Sequence, residues 1–504
     1  MAAFVTSRVT GLLREVVIGH QFGTSREYEA YLAAMRIPDL VFQVFAGGAV
    51  ASAFIPVFTS YLARDREDES WQVVNSLYTL AVLVLLPVVG LLALFSPQLI
   101  GLIAPGFDPS TQALAANLTR VVLVSPIFFT IGCFATSVLN SYQRFLLAAL
   151  APTMYNLGII VGAALLAPLW GVYGLAAGAA LGSVLFLLVQ LPGLRRVGMV
   201  YRPRLDLRHE GVAAIGKLML PRSFGLAVAQ VNFLVALVLA SGMAERYAAL
   251  NYAWLLTTMP LGVFAMAIST AVFPTLAEHS ARDELAALKR TLSTALRLIL
   301  FLTIPASIGL IVLGEPITKL LFERGQFTPA ATQATAFALQ FYAPGLFALA
   351  LIEILARAFY ALKDTRTPVL VAILGMAVNT ALGVLLIRTA LGYGGLALAM
   401  MLAAAVESLV LLAVARRRLG GLEERRLAVA LGKHCLAAIL MGVAVYAFAQ
   451  GLLGYLNPGL SLHLLLLVGS SMVVGVVSYV AVAAALRCEE VARVRQALPV
   501  GKVV

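Results

Sequence analysis

Hydrophobic residues lie along this chain in long continuous runs, which short polar connections separate. The strands of a membrane barrel would alternate between apolar and polar positions, so the continuous runs predict transmembrane helices instead. A hydrocarbon core about 30 Å thick requires roughly 20 apolar residues per helix. Fourteen runs fit this requirement, at 2–22, 30–62, 71–96, 112–139, 145–167, 171–194, 211–241, 247–277, 285–313, 331–361, 367–387, 392–415, 427–453 and 460–486.

The predicted fold class is therefore an all-α polytopic membrane protein with about fourteen transmembrane helices. No long polar insertion interrupts the runs, so we expect no soluble domain. The first run lacks the small-residue cleavage site of a signal peptide and is expected to remain as a helix.

The amino-acid composition agrees with this fold class and argues against an enzyme, a metal site or a disulfide framework. Hydrophobic residues make up 61% of the 504 positions and charged residues only 12%, whereas a soluble domain has about a quarter charged residues. The three cysteines, Cys133, Cys435 and Cys488, are far apart, and the five histidines are scattered. The chain has no HExxH, P-loop or GxSxG motif. These observations predict no enzyme, no metal and no disulfide framework.

The net charge of +12 is explained by topology rather than by nucleic acid. Basic residues concentrate in every second connection, above all in 195–208 and 416–426, and in the tail after the last run. The opposite connections hold few, namely Arg26, Arg246, Lys319, Arg324 and Arg388. Because Lys and Arg stay on the cytoplasmic side, both termini are predicted to be cytoplasmic.

Two parts of the sequence repeat each other. "AFIPVFTSYLARD", ending at Asp65, is similar to "AVFPTLAEHSARD", ending at Asp283, and "PGFDPSTQ" (105–112) is similar to "RGQFTPAATQ" (324–333). Three further pairs are 218 positions apart, namely Pro56 and Pro274, Pro87 and Pro305, and Tyr142 and Tyr360. The repeats predict two homologous six-helix halves, 1–200 and 201–420, followed by two additional helices in 421–504. Since six is even, the halves should be parallel repeats.

Charged residues also lie inside the predicted spans. A charge at the bilayer centre costs about 2.5–3.5 kcal/mol on insertion scales, unless it faces water or a partner. Those on helices 1, 2 and 7 are Arg8, Glu15, Arg14, Glu29, Arg36, Asp39, Lys217 and Arg222. Snorkelling to the head groups explains Arg8, Glu29 and Lys217, and is as good an explanation of Arg222 as a buried role. If these helices line a shared cavity, its positive balance suits an anionic substrate such as a phosphate.

Other polar positions leave the coupling of transport open. Glu407 is either a site for a proton or monovalent cation or a structural carboxylate that faces water. Asn232, Asn379 and Thr380 either ligate a cation or form hydrogen bonds across helices. Glu353 and Arg357 are four residues apart and are predicted to pair structurally. No cofactor is expected, and coupling to a cation or to the membrane potential are the alternatives.

Six segments together resemble one transporter family. They are "SRVTGLLRE" with "FG" (7–23), "RIPDLVFQVFAGGAVASAFIPVF" (36–58), "LNSYQRF" with "APT" (139–153), "MPLGVFAMAISTAVFPTL" (259–276), "LFERGQFT" (321–328) and "FYALKDTRTPV" (359–369). Over nearly its whole length the chain resembles the MurJ/MviN family of lipid II flippases, within the multidrug/oligosaccharidyl-lipid/polysaccharide exporter superfamily.

The resemblance implies a function in peptidoglycan synthesis. A cationic cavity would alternate between inward and outward states and carry the pyrophosphate and sugars of lipid II across the bacterial cytoplasmic (inner) membrane. The last two helices would hold the polyprenyl tail. The implied partners are lipid II or a related polyprenyl-pyrophosphate glycolipid, membrane lipids and the cell-wall synthesis machinery, with no nucleic acid, and the implied state is a monomer.

The chain matches the site positions of the family only in part. Arg8 and Arg14 match the paired arginines of the family's first helix, and Arg36 and Lys217 match basic positions. Glu15 and Glu29 stand where aspartates are usual. Three family arginines are missing, since the chain has Phe42, Gln43 and Leu255, and Gly47 replaces an acidic residue. Arg222, where many members have a small residue, is a candidate to compensate.

Three alternatives to lipid II transport differ in the site that they require. A flippase for another polyprenyl-linked glycan fits the missing arginines. A cation-coupled multidrug exporter would have a cavity dominated by carboxylates, which the basic helices 1, 2 and 7 disfavour. A membrane enzyme that acts on lipid carriers would need clustered catalytic or metal-binding residues, which the sequence does not display.

Overall fold

The computed structural model describes residues 2–46, 49–456 and 459–492, with side chains at 6–46, 50, 53–219, 230–456 and 459–492. Every regular element in this part of the chain is a helix, so the predicted all-α class is confirmed. By their contacts the residues form two compact units. The first comprises 1–248 together with 324–328, and the second comprises 249–323 together with 329–504.

The helices of the first unit are α1 (Ala2–Phe22), α2 (Arg26–Phe45), α3 (Ala49–Leu62), α4 (Glu67–Leu94), α5 (Ser96–Ile103), α6 (Pro109–Val122), α7 (Ser125–Ser141), α8 (Phe145–Val161), α9 (Ala167–Trp170), α10 (Val172–Leu188), α11 (Leu191–Arg196) and α12 (Glu210–Ala240). A π-helical turn, Gly162–Leu166, joins α8 to α9. The unit boundary falls within the first turn of the next helix.

The helices that follow are α13 (Arg246–Pro260), α14 (Met266–Ala281), α15 (Leu285–Phe322), α16 (Pro329–Tyr342), α17 (Leu346–Ala361), α18 (Arg366–Leu386), α19 (Tyr393–Leu419), α20 (Glu424–Leu453) and α21 (Ser461–Ala485). A π-helical turn, Leu261–Ala265, joins α13 to α14, and a 3₁₀ turn, Ala343–Gly345, joins α16 to α17. The two units are defined by contacts between residues, whereas the predicted halves are defined by similarity of sequence. The division into halves at residue 200 therefore stays a prediction.

The predicted number of spans agrees with these helices. Eleven helical segments among the described residues are long and apolar enough to cross a membrane. The three other predicted spans are also helical, and correspond to α1, to α2 with α3, and to α12. Parts of each of these three spans lie outside the residues whose side chains are described, namely 2–5, 47–49 with 51–52, and 220–229.

Positive φ angles recur at turns that the predicted repeat would make equivalent. Three pairs of residues have positive φ angles at such turns. Asp65 and Asp283 follow α3 and α14, and Gln143 and Lys363 follow α7 and α17. Gly171 and Gly392 precede α10 and α19. The offsets within these pairs are 218, 220 and 221 residues, so the second half gains residues along its length. The prediction that Tyr142 pairs with Tyr360 is wrong, because the turn geometry matches Tyr142 to Leu362.

Close helix contacts depend on glycine in the first unit. A Cβ on Gly158 of α8 would lie 2.3 Å from the Cα of Gly182 on α10. Small residues allow two membrane helices to approach closely enough for extensive van der Waals contact. This pair thereby fixes α8, which supplies a polar side chain to the site described next.

The second unit contains two apolar clusters. One lies among α14, α15, α17 and α19 and includes Leu292, Ile354 and Leu411. The other lies among α15, α20 and α21, and includes Phe301, Met441 and Tyr479. The second cluster fixes the last two helices against α15, and this contact brings together the charged residues at their ends.

Candidate functional site

Charged side chains of α1 and α2 meet inside the first unit. We call Arg14, Glu15, Arg36 and Asp39 the arginine cluster. Arg14 Nε donates to Glu15 Oε1 over 3.0 Å, and Arg14 Nη2 forms an ion pair with the same carboxylate. The hydroxyl of Tyr28 donates to Glu15 Oε2 over 3.3 Å. The neighbouring residues Arg14 and Glu15 therefore form one hydrogen-bonded pair.

Helix α8 holds this pair in place through Asn156. Arg14 Nη1 donates to Asn156 Oδ1 over 3.0 Å, and Asn156 Nδ2 donates to the carbonyl oxygen of Ser7 over 3.2 Å. The Arg14 side chain keeps 24% of its surface exposed, whereas that of Glu15 keeps 9%. Arg14 is thus oriented by protein groups but still has an accessible face.

Arg36 is held differently. Its Nε donates to the Tyr247 hydroxyl over 2.8 Å. Its guanidinium carbon lies 5.1 Å from the ring centroid of Phe233 and 5.7 Å from that of Tyr247, which are cation–π distances. Among the described side chains, none accepts a hydrogen bond from the two Nη atoms of Arg36. The terminal fork of this guanidinium therefore remains available for a ligand.

Asp39 makes the cluster electrically balanced. Its carboxylate interacts electrostatically with both Arg36 and Arg14. With Glu15, it gives two carboxylates for two guanidinium groups, so the arginine cluster has no formal net charge. A positive balance, as predicted from the sequence, requires residues outside the cluster.

The other predicted substrate-binding cations fall in three different settings. Arg8 on α1 and Lys217 on α12 are exposed. Arg222 lies within helix α12, but its side chain lies outside the described residues. Where the family has an arginine, Phe42 packs instead against Phe129, with ring centroids 5.3 Å apart. Leu255, in the second unit, is half-buried.

Glu29 is surrounded by protein groups that bond to its carboxylate. Its side chain is fully buried and pairs with Arg26 Nη1 over 3.0 Å. Its Oε1 accepts the backbone N–H groups of Tyr247 at 2.8 Å and Ala248 at 3.3 Å. Glu29 therefore caps the first turn of α13, where N–H groups lack helical partners. Arg26 was not predicted as the partner of Glu29, although their spacing of three residues on a helix is a signal for such a pair.

The predicted coupling residues occupy separate places. In the second unit, Glu407 is half-buried, and its Oε2 would lie 2.7 Å from a Cβ on Gly375 of α18. Asn379, one turn further along α18, is buried, and the Thr380 hydroxyl donates to the carbonyl oxygen of Met376 over 2.9 Å. Asn232 belongs to α12 of the first unit. The predicted pair of Glu353 and Arg357 is confirmed at 2.8 Å.

A charged cluster at the end of α21 was missed by the sequence analysis. Arg297 of α15 pairs with Glu489 over 2.9 Å and with Glu490 over 3.3 Å. His434 Nε2 lies 3.3 Å from Glu490 Oε2. We call Arg297, His434, Glu489 and Glu490 the carboxylate clamp. An arginine within the apolar run 285–313 is the signal that could have revealed it.

The carboxylate clamp combines an ion pair with three side chains that are potential metal ligands. Ligand atoms of His434, Cys488 and Glu490 lie within 4.8 Å of one another. Burial and then the neighbouring Glu490 carboxylate raise the pKa of the Cys488 thiol. Burial acts to raise the pKa of Glu490, but the His434 hydrogen bond and the charges of His434 and Arg297 lower it overall. Arg297 already supplies the positive charge that Glu490 requires.

Comparison with known proteins identifies a family and several relatives to which this chain is similar. A model of the family described as Lipid II flippase MurJ matches residues 18–467. A probable lipid II flippase MurJ from Haemophilus influenzae is 34% identical over 462 residues, which cover 88% of this chain and 90% of that protein. The lipid II flippase MurJ of Burkholderia cenocepacia is 33% identical over 423 residues, 82% of this chain and 81% of that protein.

Solved structures agree with the sequence relationship. A lipid II flippase MurJ in an inward closed conformation has a TM-score of 0.80 and 26% identity, and the match covers 96% of this chain and 97% of that one. An inward-facing MATE family multidrug transporter of the MOP superfamily has a TM-score of 0.71 at 14% identity, covering 82% and 96% of the two chains, and shares the fold alone. On the family match and these identities, the chain belongs to the lipid II flippase MurJ family.

Proposed function

We propose that this protein is a transporter, not an enzyme, that moves lipid II across the bacterial cytoplasmic membrane. Lipid II, the polyprenyl-pyrophosphate-linked precursor of peptidoglycan, would pass from the inner to the outer leaflet. Membership of the family and the likeness of the whole helical fold to a lipid II flippase support this function. The orientation with both termini in the cytoplasm rests on the distribution of Lys and Arg.

The transport mechanism that we propose is alternating access of a cationic cavity. The observation that carries it is the geometry of Arg36. Its Nε donates to Tyr247, its guanidinium carbon lies over the rings of Phe233 and Tyr247, and its two Nη atoms are left without an acceptor among the described residues. A guanidinium fixed in this way presents a fork that matches two oxygens of a phosphate. We assign Arg36 as a direct ligand of the pyrophosphate.

Arg14 is the second phosphate ligand in this proposal, and it would bind the substrate only in competition with its own protein partners. Its nitrogens bond to Glu15 and Asn156. A phosphate at the exposed face of Arg14 would compete with these groups, which keeps binding reversible, as transport requires a substrate that leaves again. Arg8, Lys217 and Arg222 would add the positive charge that the arginine cluster lacks. Arg222 would thereby compensate for Phe42, Gln43 and Leu255.

Coupling and partners remain parts of the proposal. A monovalent cation or the membrane potential would drive the cycle, with Glu407, Asn232, Asn379 and Thr380 as the candidate coupling residues. The protein would act as a monomer in contact with membrane lipids and with the cell-wall synthesis machinery.

The role of Arg36 is tested by complementation of a bacterium depleted of its own flippase. Arg36→Ala should abolish growth while the protein accumulates in the membrane, because two charge-assisted hydrogen bonds of about 1.5–3 kcal/mol each would be lost. Arg36→Lys should rescue growth only in part, since an ammonium lacks the planar fork. Arg144→Ala, which removes an exposed arginine, is the matched control. Normal growth with Arg36→Ala would overturn the assignment.

A further inference from the structure

A basic pocket lies beside the carboxylate clamp, at the ends of the last two helices. It has a volume of about 320 Å³, and its lining includes Arg297, Arg425, Lys433, Arg487, Glu489 and Glu490. This volume is at the lower end of the range of small-ligand pockets. Since the pocket lies at the start of α20 and directly after α21, it opens at a membrane surface.

The carboxylates of this pocket share a single arginine as their ion-pair partner. Both Glu489 and Glu490 pair with Arg297. No ion pair of the described residues includes Arg425, Lys433 or Arg487, and the Lys433 ammonium donates to the carbonyl oxygen of Arg487 over 3.4 Å. These three cations therefore leave an excess of positive charge at the pocket.

The residues printed after the pocket add no acidic side chain. Residues 493–504 include Arg493, Arg495 and Lys502 but no aspartate or glutamate. The amino-terminal end of α20 also contributes the positive end of a helix dipole. An anion from another molecule would balance the excess positive charge of the pocket.

Lipid-facing residues continue from the pocket along α20. Val429, Leu436, Leu440 and Val443 have exposed apolar side chains. Their spacing of three, four or seven residues places them with Lys433 on one face of the helix. A ligand with a phosphate at one end and acyl chains at the other would contact both the cations and this face. Soluble phosphate would use only the cations.

The turn after α21 places Arg487 at the pocket. Arg487 has φ = 52°, its N–H donates to the carbonyl oxygen of Ala484, and the N–H of Cys488 donates to that of Ala483, both over 2.9 Å. This pattern of bonds closes a helix and favours glycine at the left-handed position. Glycine at position 487 would therefore keep the turn and remove the charge.

We infer that this pocket binds the phosphate head group of an anionic phospholipid, with the acyl chains along the exposed face of α20. Arg425, Lys433 and Arg487 would contact the phosphate, while the carboxylate clamp holds the pocket wall. Anionic lipids are enriched in the cytoplasmic leaflet, where each nearby Lys or Arg adds about fivefold to the affinity. This inference concerns a lipid that stays bound, and is independent of the transported substrate.

The test measures lipid-dependent stability of the purified full-length protein in nanodiscs. Nanodiscs of phosphatidylcholine alone are compared with nanodiscs that also contain phosphatidylglycerol, and the thermal midpoint of unfolding is recorded. Wild-type protein should show a higher midpoint with phosphatidylglycerol. A variant with Arg425→Gln, Lys433→Gln and Arg487→Gln should lose this increase, with an apparent affinity on the order of a hundredfold lower.

Two further variants separate the pocket from general charge and from folding. Arg487→Gly should keep the wild-type midpoint in phosphatidylcholine but show a smaller increase with phosphatidylglycerol. A control with Arg64→Gln, Arg144→Gln and Arg208→Gln removes three exposed charges elsewhere and should keep the full increase. The inference is overturned if wild type shows no increase, if both triple variants lose it equally, or if inorganic phosphate in phosphatidylcholine nanodiscs reproduces it.

Discussion

Replacement of Glu29 distinguishes a structural carboxylate from a substrate ligand. The charges inside helices 1, 2 and 7, together with the family resemblance, placed Glu29 among the predicted substrate-binding residues. The structure buries Glu29 completely and directs its oxygens to Arg26 and to two backbone N–H groups. Glu29→Ala removes one partner of a buried ion pair and leaves the N–H groups without an acceptor. The expected result is a large loss of stability, and not a selective loss of transport.

The size of this loss follows from the contacts. Removal of one member of a buried pair costs about 3–5 kcal/mol. Arg26 keeps 31% of its side-chain surface exposed, so water replaces part of what it loses, and the lower half of that range is expected. Glu29→Gln keeps one oxygen that can accept a backbone N–H but loses the charge. Its cost should be about 1–3 kcal/mol, as for one hydrogen bond to a charged group.

The assay combines stability with transport in the same variants. Purified protein is heated in detergent, and the fraction that remains monodisperse is measured by size-exclusion chromatography. The midpoints should fall in the order wild type, Glu29→Gln, Glu29→Ala. Complementation of flippase-depleted cells, normalised to the accumulated protein, should be near the wild-type level for Glu29→Gln. If this variant keeps the wild-type midpoint but fails to complement, Glu29 acts on the substrate and our structural interpretation is wrong.

Three other predictions test packing, pH dependence and topology. Gly158→Val should prevent accumulation of the protein on immunoblots, because its Cβ would collide with Gly182, whereas Gly90→Ala, with no atom within 4 Å of the new Cβ, should accumulate normally. The pKa of the Glu490 carboxyl in the folded protein lies below its usual value of 4.5. The ionised carboxylate should therefore stabilise the fold fully when the pH is above that usual value, and this stabilisation should be lost as the pH falls through the lower pKa of the folded state. The thermal midpoint of Glu490→Gln should lack this acid dependence. Asp206→Cys, in a background without native cysteines, should react with an impermeant thiol reagent only in inside-out vesicles, and labelling in intact cells would contradict the predicted topology.

Hydrophobic runs predicted the helices well, because a helix in lipid must satisfy its own backbone and be apolar on its surface. The first run, 2–22, coincides with α1. The break between α6 and α7 was not predicted, although Pro126 lies in the first turn of α7. An apolar run that continues through a break gives no sign of it, since both sides contact the same hydrophobic surroundings.

The candidate site was only partly predictable for a different reason. Charges in an apolar run identify Arg14 and Arg36 from the sequence alone. Their partners do not follow from it, because Asn156 is 142 residues from Arg14 and Tyr247 is 211 residues from Arg36. An asparagine or a tyrosine in a membrane helix is common, and only the fold shows which one meets an arginine. The contact of Glu29 with the backbone of α13 is equally hidden in the sequence, because Tyr247 is 218 residues away.

The balance of charge in the arginine cluster has a consequence for the proposed transport. Two arginines without carboxylates would be expensive to hold inside the first unit when no substrate is bound. Glu15 and Asp39 reduce that cost, and they also compete with a phosphate for the same guanidinium groups. Arg36, whose Nη atoms have no acceptor among the described residues, would bind first, and Arg14 would exchange Glu15 for the substrate. Binding then replaces one anion by another, so the pyrophosphate can be taken up and released with a small net change in electrostatic free energy.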